Sequence, residues 1–319
     1  MENSRRNASG RPKASGSDFE AEQENIQELG REVPVGSADY LAPKSLKKAL
    51  EYRSRYGYKA VVIAGGTDIM VDYFERLSEV SSWLDLTKIQ DLKEIKFGPE
   101  KIRLGSMVTH RKLATDSRIR ENLPLLAESA SEVGAWQIQS RGTLGGNIVT
   151  SSPAGDALAP LLAYQARFIL GSVSGQREVA AEDFFTGPKE NVMTQEELLI
   201  EVVIPTPREG TLSRWKKVGK RKAMIISSLT MALLLELDDK DEITAARAAY
   251  GAVAPRPIRA TELEVYLTGR KLTEISAGKA GELAAQEISP ITDIRGTVDF
   301  RCQVTRDITE QALLGFQQE

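Results

Sequence analysis

The run Lys59-Ala-Val-Val-Ile-Ala-Gly-Gly-Thr-Asp68 constrains this chain more than any other stretch. Lys59 to Ala64 read as a short buried strand that meets the paired glycines Gly65 and Gly66, with a hydroxyl and a carboxylate following at Thr67 and Asp68. Glycine has no Cβ, so the backbone can turn with φ > 0 and aim successive N–H groups into a concavity that accepts phosphate oxygens. An ordinary strand-to-helix turn uses the same pair, so this loop alone leaves both readings open. A second segment, Arg141-Gly-Thr-Leu-Gly-Gly-Asn-Ile148, again joins paired glycines to a hydroxyl and a short amide. Together the two suit a diphosphate held between two loops. The doubly wound dinucleotide fold wants G-x-G-x-x-G directly after its first strand, and Ala64-Gly-Gly-Thr-Asp-Ile69 does not supply it. No G-x-x-x-x-G-K-[ST] triphosphate loop is present either.

Residue chemistry removes several function classes. The only cysteine, Cys302, rules out an intrachain disulfide, a Cys-ligated zinc and an iron–sulfur cluster held by this chain. The only histidine, His110, excludes a two-histidine metal site and leaves a Ser-His-Asp hydrolase only if His110 itself is the base. A histidine in the first turn of a helix is more often simply packed or exposed than catalytic, and no catalytic or metal-ligating residue is assigned. The net charge of −3 gives no electrostatic reason to expect nucleic acid or an anionic membrane as partner. No apolar run reaches bilayer length, so a soluble, cytoplasmic protein is expected.

A length of 319 residues allows two or three packed units. Residues 1–32 are polar and charged and read as a disordered tail; Arg5-Arg6 is not followed by the apolar region of an export signal. The ordered chain is expected from about Val35, divided into 33–208 and 209–319 at the Pro205, Pro207 and Gly210 linker. A helix runs from Lys44 or Ser45 to Tyr56 with Leu46, Ala49, Leu50 and Arg53 on one face, stopped by Gly57. A short helix or turn is expected over 69–74 and a strand over 83–86. Alternation predicts hairpins over 92–97 with 101–106 and over 167–170 with 177–179, and Thr109 is placed to cap a helix. Pro124 to Val133 reads as a further helix. Asp156 reads as the cap of a helix to about Leu162, and Asn147 as the residue closing a turn, unless either is a ligand. Strands follow over 197–204, 212–218, 225–237 and 242–253, then helices over 258–267, 273–286 and 297–314. Strands followed by helices mean an α+β layer at the C-terminal end.

The Ala64-Gly-Gly-Thr-Asp68 loop, the Gln137-Ile-Gln-Ser-Arg-Gly-Thr-Leu-Gly-Gly-Asn147 run and Gly251-Ala-Val-Ala-Pro-Arg-Pro-Ile-Arg259 resemble, in this order, the medium, FAD-binding subunits of the molybdenum hydroxylases. That family includes the flavoprotein subunits of carbon monoxide dehydrogenase and of xanthine dehydrogenase-like enzymes. The resemblance implies an α+β chain, with a two-subdomain FAD-binding fold of the PCMH / vanillyl-alcohol-oxidase type and then a small α+β domain of the carbon monoxide dehydrogenase flavoprotein type. It implies non-covalent FAD, with molybdopterin and [2Fe–2S] clusters carried only by partner chains, a large and a small subunit, in a dimer of heterotrimers. Carried over residue by residue, Ala64, Gly65, Gly66, Thr67, Asp68 and Ile69 would hold the diphosphate. Thr143, Gly145, Gly146 and Asn147 would line it from the second segment, and Asp156 would bind the adenosine side. Leu198 and Leu199 would touch the flavin ring, and Lys216 would reach its pyrimidine end. Trp136 departs from the family pattern and reads either as a ring near the adenine or as core.

Overall fold

The strands fall into sheets of three, five and four, with one two-stranded hairpin besides, among the residues that the computed structural model describes: 39–71, 80, 82–220 and 226–318. The expected tail, the chain from Val35 to Ala38, the end of the 69–74 turn and Ile225 lie outside the described residues.

The first sheet holds β1 (Asp39–Leu41), β2 (Ala60–Ile63) and β3 (Ser82–Asp85) in the order β1-β3-β2, all parallel. Parallel strands need a crossover, and α1 (Leu46–Tyr56) provides the one between β1 and β2. The Ser45 hydroxyl caps α1 by accepting from the Lys48 N–H, and Gly57, at φ 52°, ends it. The face read from the sequence packs as expected. Ala49, Leu46 and Leu50 lie in a core with Leu84 and Leu86, and the buried Arg53 guanidinium donates to the Gly57 and Ala60 carbonyls.

The second sheet is antiparallel throughout. Its strands β4 (Ile95–Phe97) and β5 (Lys101–Gly105) form the first expected hairpin, and β6 (Arg167–Ser172) and β7 (Gly175–Ala180) the second; with β10 (Leu198–Pro205) between the hairpins the order is β4-β5-β10-β6-β7. Between β5 and β6 come α2 (His110–Thr115), α3 (Ser117–Asn122), α4 (Pro124–Ser131), α5 (Trp136–Arg141), α6 (Leu144–Thr150) and α7 (Leu158–Ala163). The second glycine segment is therefore helical, not a loop: Gly145 and Gly146 lie in the first turn of α6. After β7, α8 (Ala181–Phe184) and the hairpin of β8 (Phe185–Gly187) with β9 (Glu190–Asn191) lead to β10 (Leu198–Pro205) at the centre of the sheet. Leu113, Ile119, Leu126, Ile148 and Leu161 from these helices share one core with Phe168, Phe184 and Phe185. The Phe168 and Phe184 rings meet edge to face, 4.9 Å between centroids.

The third sheet, β11 (Leu212–Val218), β12 (Leu229–Leu237), β13 (Ile243–Gly251) and β14 (Ile258–Arg259), is antiparallel in sequence order. It is followed by α9 (Thr261–Leu267), α10 (Ala277–Glu287) and α11 (Val298–Phe316). Residues 258–260, expected at the start of a helix, instead give β14 and the residue that precedes α9, because Ile258 pairs with Tyr250 and the Ala260 N–H with the Ala248 carbonyl. Both faces of this sheet are covered. Trp215, Ala232, Leu234 and Ala249 reach the core of the second sheet, whereas Met231, Leu233, Leu235 and Tyr250 pack on Leu263, Ala280, Ile308 and Leu313 of the helices. Two-sided burial is why β12 reads Leu-Thr-Met-Ala-Leu-Leu-Leu-Glu-Leu, an almost unbroken apolar run rather than an alternating one.

Trp215 carries much of this joint, being only 4% exposed in a core built mainly from the second sheet and its helices. Trp215→Ala is expected to lower the unfolding free energy by about 3–5 kcal/mol. Urea denaturation followed by far-ultraviolet circular dichroism checks it; a loss under about 1 kcal/mol would mean that the indole is dispensable to the joint.

Candidate functional site

The first glycine loop ends β2 against bare backbone. A Cβ on Gly65 would collide with the Arg141 carbonyl at the end of α5, so only glycine allows this approach. Gly66 takes φ 77°, the left-handed region, and its carbonyl accepts from the Met70 N–H as the chain turns helically over 69–71. The N–H groups of Gly65, Gly66, Thr67, Asp68 and Ile69 donate to no acceptor among the described residues. Successive free donors on a left-handed turn form a cradle for an anion.

The second segment is held by a short backbone ladder. The His110 N–H donates to the Gly142 carbonyl at 3.0 Å, Leu144 to Val108 at 2.9 Å and Gly145 to Ser106 at 2.8 Å. A Cβ on Gly145 would lie 2.6 Å from the Ser106 oxygen, so close packing requires this glycine. The Thr143 hydroxyl caps α6 by accepting from the Gly146 N–H, and its carbonyl accepts from the Asn147 N–H. The first turn of α6 thus spends its donors within the chain, unlike the 65–69 loop. Asn147 keeps a different feature: its Oδ1 is buried with no hydrogen-bond partner among the described residues, the kind of atom that a ligand satisfies.

The two segments meet at several points. Besides Gly65 on Arg141, the missing Cβ of Gly142 would lie 3.2 Å from the Thr67 hydroxyl oxygen. The Thr150 hydroxyl donates to the Asp68 carboxylate at 3.1 Å, tying the end of α6 to the loop. The sequence reading paired these segments by composition; the fold puts them in contact.

Asp156 is not a helix cap. Ala157 precedes α7 without any side-chain cap, and the Asp156 carboxylate instead accepts from the Lys217 ammonium at 2.7 Å and the Ser227 hydroxyl at 2.6 Å. Burial pushes this carboxyl above the usual carboxylate range, against the pull of Lys217 and of the Ser227 hydroxyl. Lys217 also donates to the Glu132 carbonyl at 2.8 Å. Lys216 points to the other face of β11 and is exposed, so the cation beside Asp156 is its neighbour. Strand alternation could have shown this: with Trp215 inward, Lys217 is inward and Lys216 is not.

The remaining expected residues lie apart. Leu198 packs in the core of the first sheet, which Ala64 also lines, while Leu199 packs in the core of the second. Trp136 is exposed rather than core, with the Arg111 guanidinium 3.5 Å from its ring centre. Among the described residues, no group of three or more His, Cys, Asp or Glu side chains could hold a metal ion.

The two lysines give a test of the placement. Lys217→Met strands a buried carboxylate and is expected to cost about 3–5 kcal/mol of stability, while Lys216→Met should stay within about 0.5 kcal/mol of the parent. Equilibrium denaturation of both variants decides it, and equal losses would contradict the burial of the Asp156 pair.

Comparison with known proteins points one way. Residues 34–207 match the model of the FAD binding domain in molybdopterin dehydrogenase, and residues 215–316 that of the CO dehydrogenase flavoprotein C-terminal domain. The nicotinate dehydrogenase FAD-subunit of Eubacterium barkeri is 31% identical over 239 residues, 74% of this chain and 81% of that one. The carbon monoxide dehydrogenase medium chain of Hydrogenophaga pseudoflava is 27% identical, covering 86% of this chain and 95% of that one. A solved structure of carbon monoxide dehydrogenase from the same organism superposes with a TM-score of 0.82 at 28% identity, over 86% of this chain and 96% of that one. Quinoline 2-oxidoreductase from Pseudomonas putida 86 superposes with a TM-score of 0.81 at 28% identity, over 88% and 96%. The chain belongs to the molybdenum hydroxylase family as its medium, FAD-binding subunit, the flavoprotein part of an oxidoreductase.

Proposed function

We propose that this subunit is the electron exit of a multi-subunit molybdenum hydroxylase, with the cofactor diphosphate seated on residues 64–69 against the head of α6. The observation that carries the seat is the row of N–H groups from Gly65 to Ile69 that find no acceptor among the described residues. Bound FAD would take electrons from the [2Fe–2S] clusters of a small partner subunit and hand them to an external acceptor. A molybdopterin-binding large subunit would oxidise the substrate, in a dimer of heterotrimers in the cytoplasm.

The chain's own residues then have separate tasks. The backbone donors of Gly65 to Ile69 would hydrogen-bond the diphosphate oxygens, and Thr67 would add a hydroxyl beside them. Asn147 offers its buried Oδ1 to a donor on the cofactor. Lys217, held by Asp156, is a buried cation and would take the role that the family pattern placed on Lys216; a positive charge there would favour the anionic reduced ring. Beyond α6, an open cleft of about 440 Å³ that begins at Val149 and is lined by Arg53, Tyr58, Asn191 and Met193 gives room for more of an extended dinucleotide. With one cysteine and one histidine in the sequence, the hydroxylation chemistry is assigned to other chains.

Acid precipitation of the flavin-loaded chain is expected to release FAD into the supernatant, and the isolated subunit should turn over no organic substrate until the two partner subunits are added. Flavin retained on the pellet would mean a covalent link. Turnover by the isolated chain at roughly 1 per second or more would make it a self-contained oxidase instead.

Gly66→Val puts a β-branched residue at φ 77°, a strain of about 1–3 kcal/mol. The dissociation constant for FAD is expected to rise by more than the loss of folding stability accounts for, as read by flavin fluorescence titration beside thermal unfolding. Unchanged affinity would move the diphosphate off this loop.

A further inference from the structure

Trp136, which opens α5, is a large ring left 62% exposed, and Ile138 on the same helix is 38% exposed. The Arg111 guanidinium of α2 lies 3.5 Å from the centre of the indole and covers one of its faces. Lys112 and Arg118 both pair with Asp116, whereas Arg111 pairs with no carboxylate among the described residues. Residues 110–122 and 136–141 together hold five lysines and arginines against two carboxylates, in a chain of net charge −3. An exposed apolar side chain by itself is ordinary; a ring fixed on an unneutralised arginine in a basic field is not.

The pair borders the cradle. His110, the residue before Arg111, donates its N–H to the Gly142 carbonyl at 3.0 Å, and the far end of α5 places the Arg141 carbonyl against Gly65. A helix of six residues is about 9 Å long, so the indole stands one short helix away from the loop. Permanent subunit interfaces are large and apolar, whereas brief electron-transfer contacts are small and are steered by charge. One aromatic anchor in a basic field has the character of the second kind. Tryptophan and arginine are the side chains that most often carry such contacts, and the stack on Arg111 orders the ring before a partner arrives, which lowers the cost of docking.

Resting on the reading of this chain as an electron exit, we infer that Trp136 and Arg111 form the docking point for the external acceptor, and that this acceptor is a one-electron carrier protein with an acidic face. The indole meets the apolar centre of that face, and the surrounding cations meet its carboxylates. Each docking moves one electron from the reduced cofactor to the redox centre of the carrier. Two carriers leave reduced for each two-electron oxidation of the cofactor, and the protons that it gives up go to water.

Plastocyanin, an acidic one-electron copper protein, serves as the probe, with the basic cytochrome c and neutral benzoquinone for comparison. The reduced enzyme, assembled with its partner subunits, is mixed with each acceptor, and plastocyanin binding to the isolated chain is titrated separately. Plastocyanin is expected to reoxidise the flavin at a second-order rate that falls steeply with added salt. Trp136→Ala and Arg111→Glu should each slow that step roughly tenfold and weaken plastocyanin binding by a similar factor. The benzoquinone rate, the unfolding temperature and assembly with the partner subunits should stay as in the parent, and Arg111→Gln replaces the glutamate variant if that one does not fold. Plastocyanin accepting no faster than cytochrome c, or a full plastocyanin rate in Trp136→Ala, would overturn the inference. So would failure of either variant to assemble with the iron–sulfur subunit, because a permanent partner would then cover the patch. A flavin that even benzoquinone does not reoxidise would instead overturn the electron-exit reading.

Discussion

Backbone meeting backbone without a side chain between is the contact on which this site depends. Gly65 rests on the Arg141 carbonyl, and Gly145 lies under the Ser106 backbone and Cβ. Each approach is closed to any residue that carries a Cβ. With both in place, the end of β2 and the head of α6, from different sheets' territories, occupy one place. The ladder of His110, Leu144 and Gly145 hydrogen bonds then fixes the second segment to the β5–α2 corner. Without those glycines the donors of the 65–69 loop would still exist, but nothing would set the loop against Arg141 and Thr150.

The glycines therefore divide into two uses that look alike as text. In the first loop, Gly66 takes a left-handed conformation and the N–H groups around it find no acceptor among the described residues. In the second, the N–H groups of Gly145 and Gly146 are consumed by Ser106 and Thr143, and Gly145 serves packing. A Gly-Gly pair tells a reader that a Cβ is unwelcome; it does not say whether a phosphate or a serine is the neighbour. The distinction lies in contacts between residues far apart in sequence, and so is absent from any local pattern.

Charge is handled differently at the joint between the second and third sheets. Asp156 and Lys217 are both nearly buried, with side chains 10% and 5% exposed, and each has a further partner in Ser227 or the Glu132 carbonyl. Burying two charges costs several kcal/mol per ion before their attraction is counted, so such a pair adds little net stability over an apolar pair of the same size. What it does enforce is geometry: leaving either partner alone is costly, so β11 is held in one register against the chain that leaves α6. A buried cation in a fixed position is of use to a redox cofactor in a way that a solvated lysine is not.

Much of this was legible in the sequence because the relevant signals are local. The capping of α1 by Ser45, its stop at Gly57, the apolar face of Leu46, Ala49 and Leu50, and the two hairpins of the second sheet all follow from spacing over a few residues. The 64–69 loop stood out for the same reason. Asp156 was misread as a helix cap because an aspartate before an apolar run has that meaning in isolation, and its true partners, Lys217 and Ser227, lie 61 and 71 residues away. Ile258 was placed in a helix because its pairing with Tyr250 depends on where β13 ends, which periodicity does not encode. On β11, the burial of Trp215 and the two-residue period of a strand turn Lys217 inward and leave Lys216 outside, which resemblance to a motif does not encode. Alternation along β11 is thus a better guide to which lysine is buried than alignment to a motif, because a one-residue slip in register reverses every side chain on the strand.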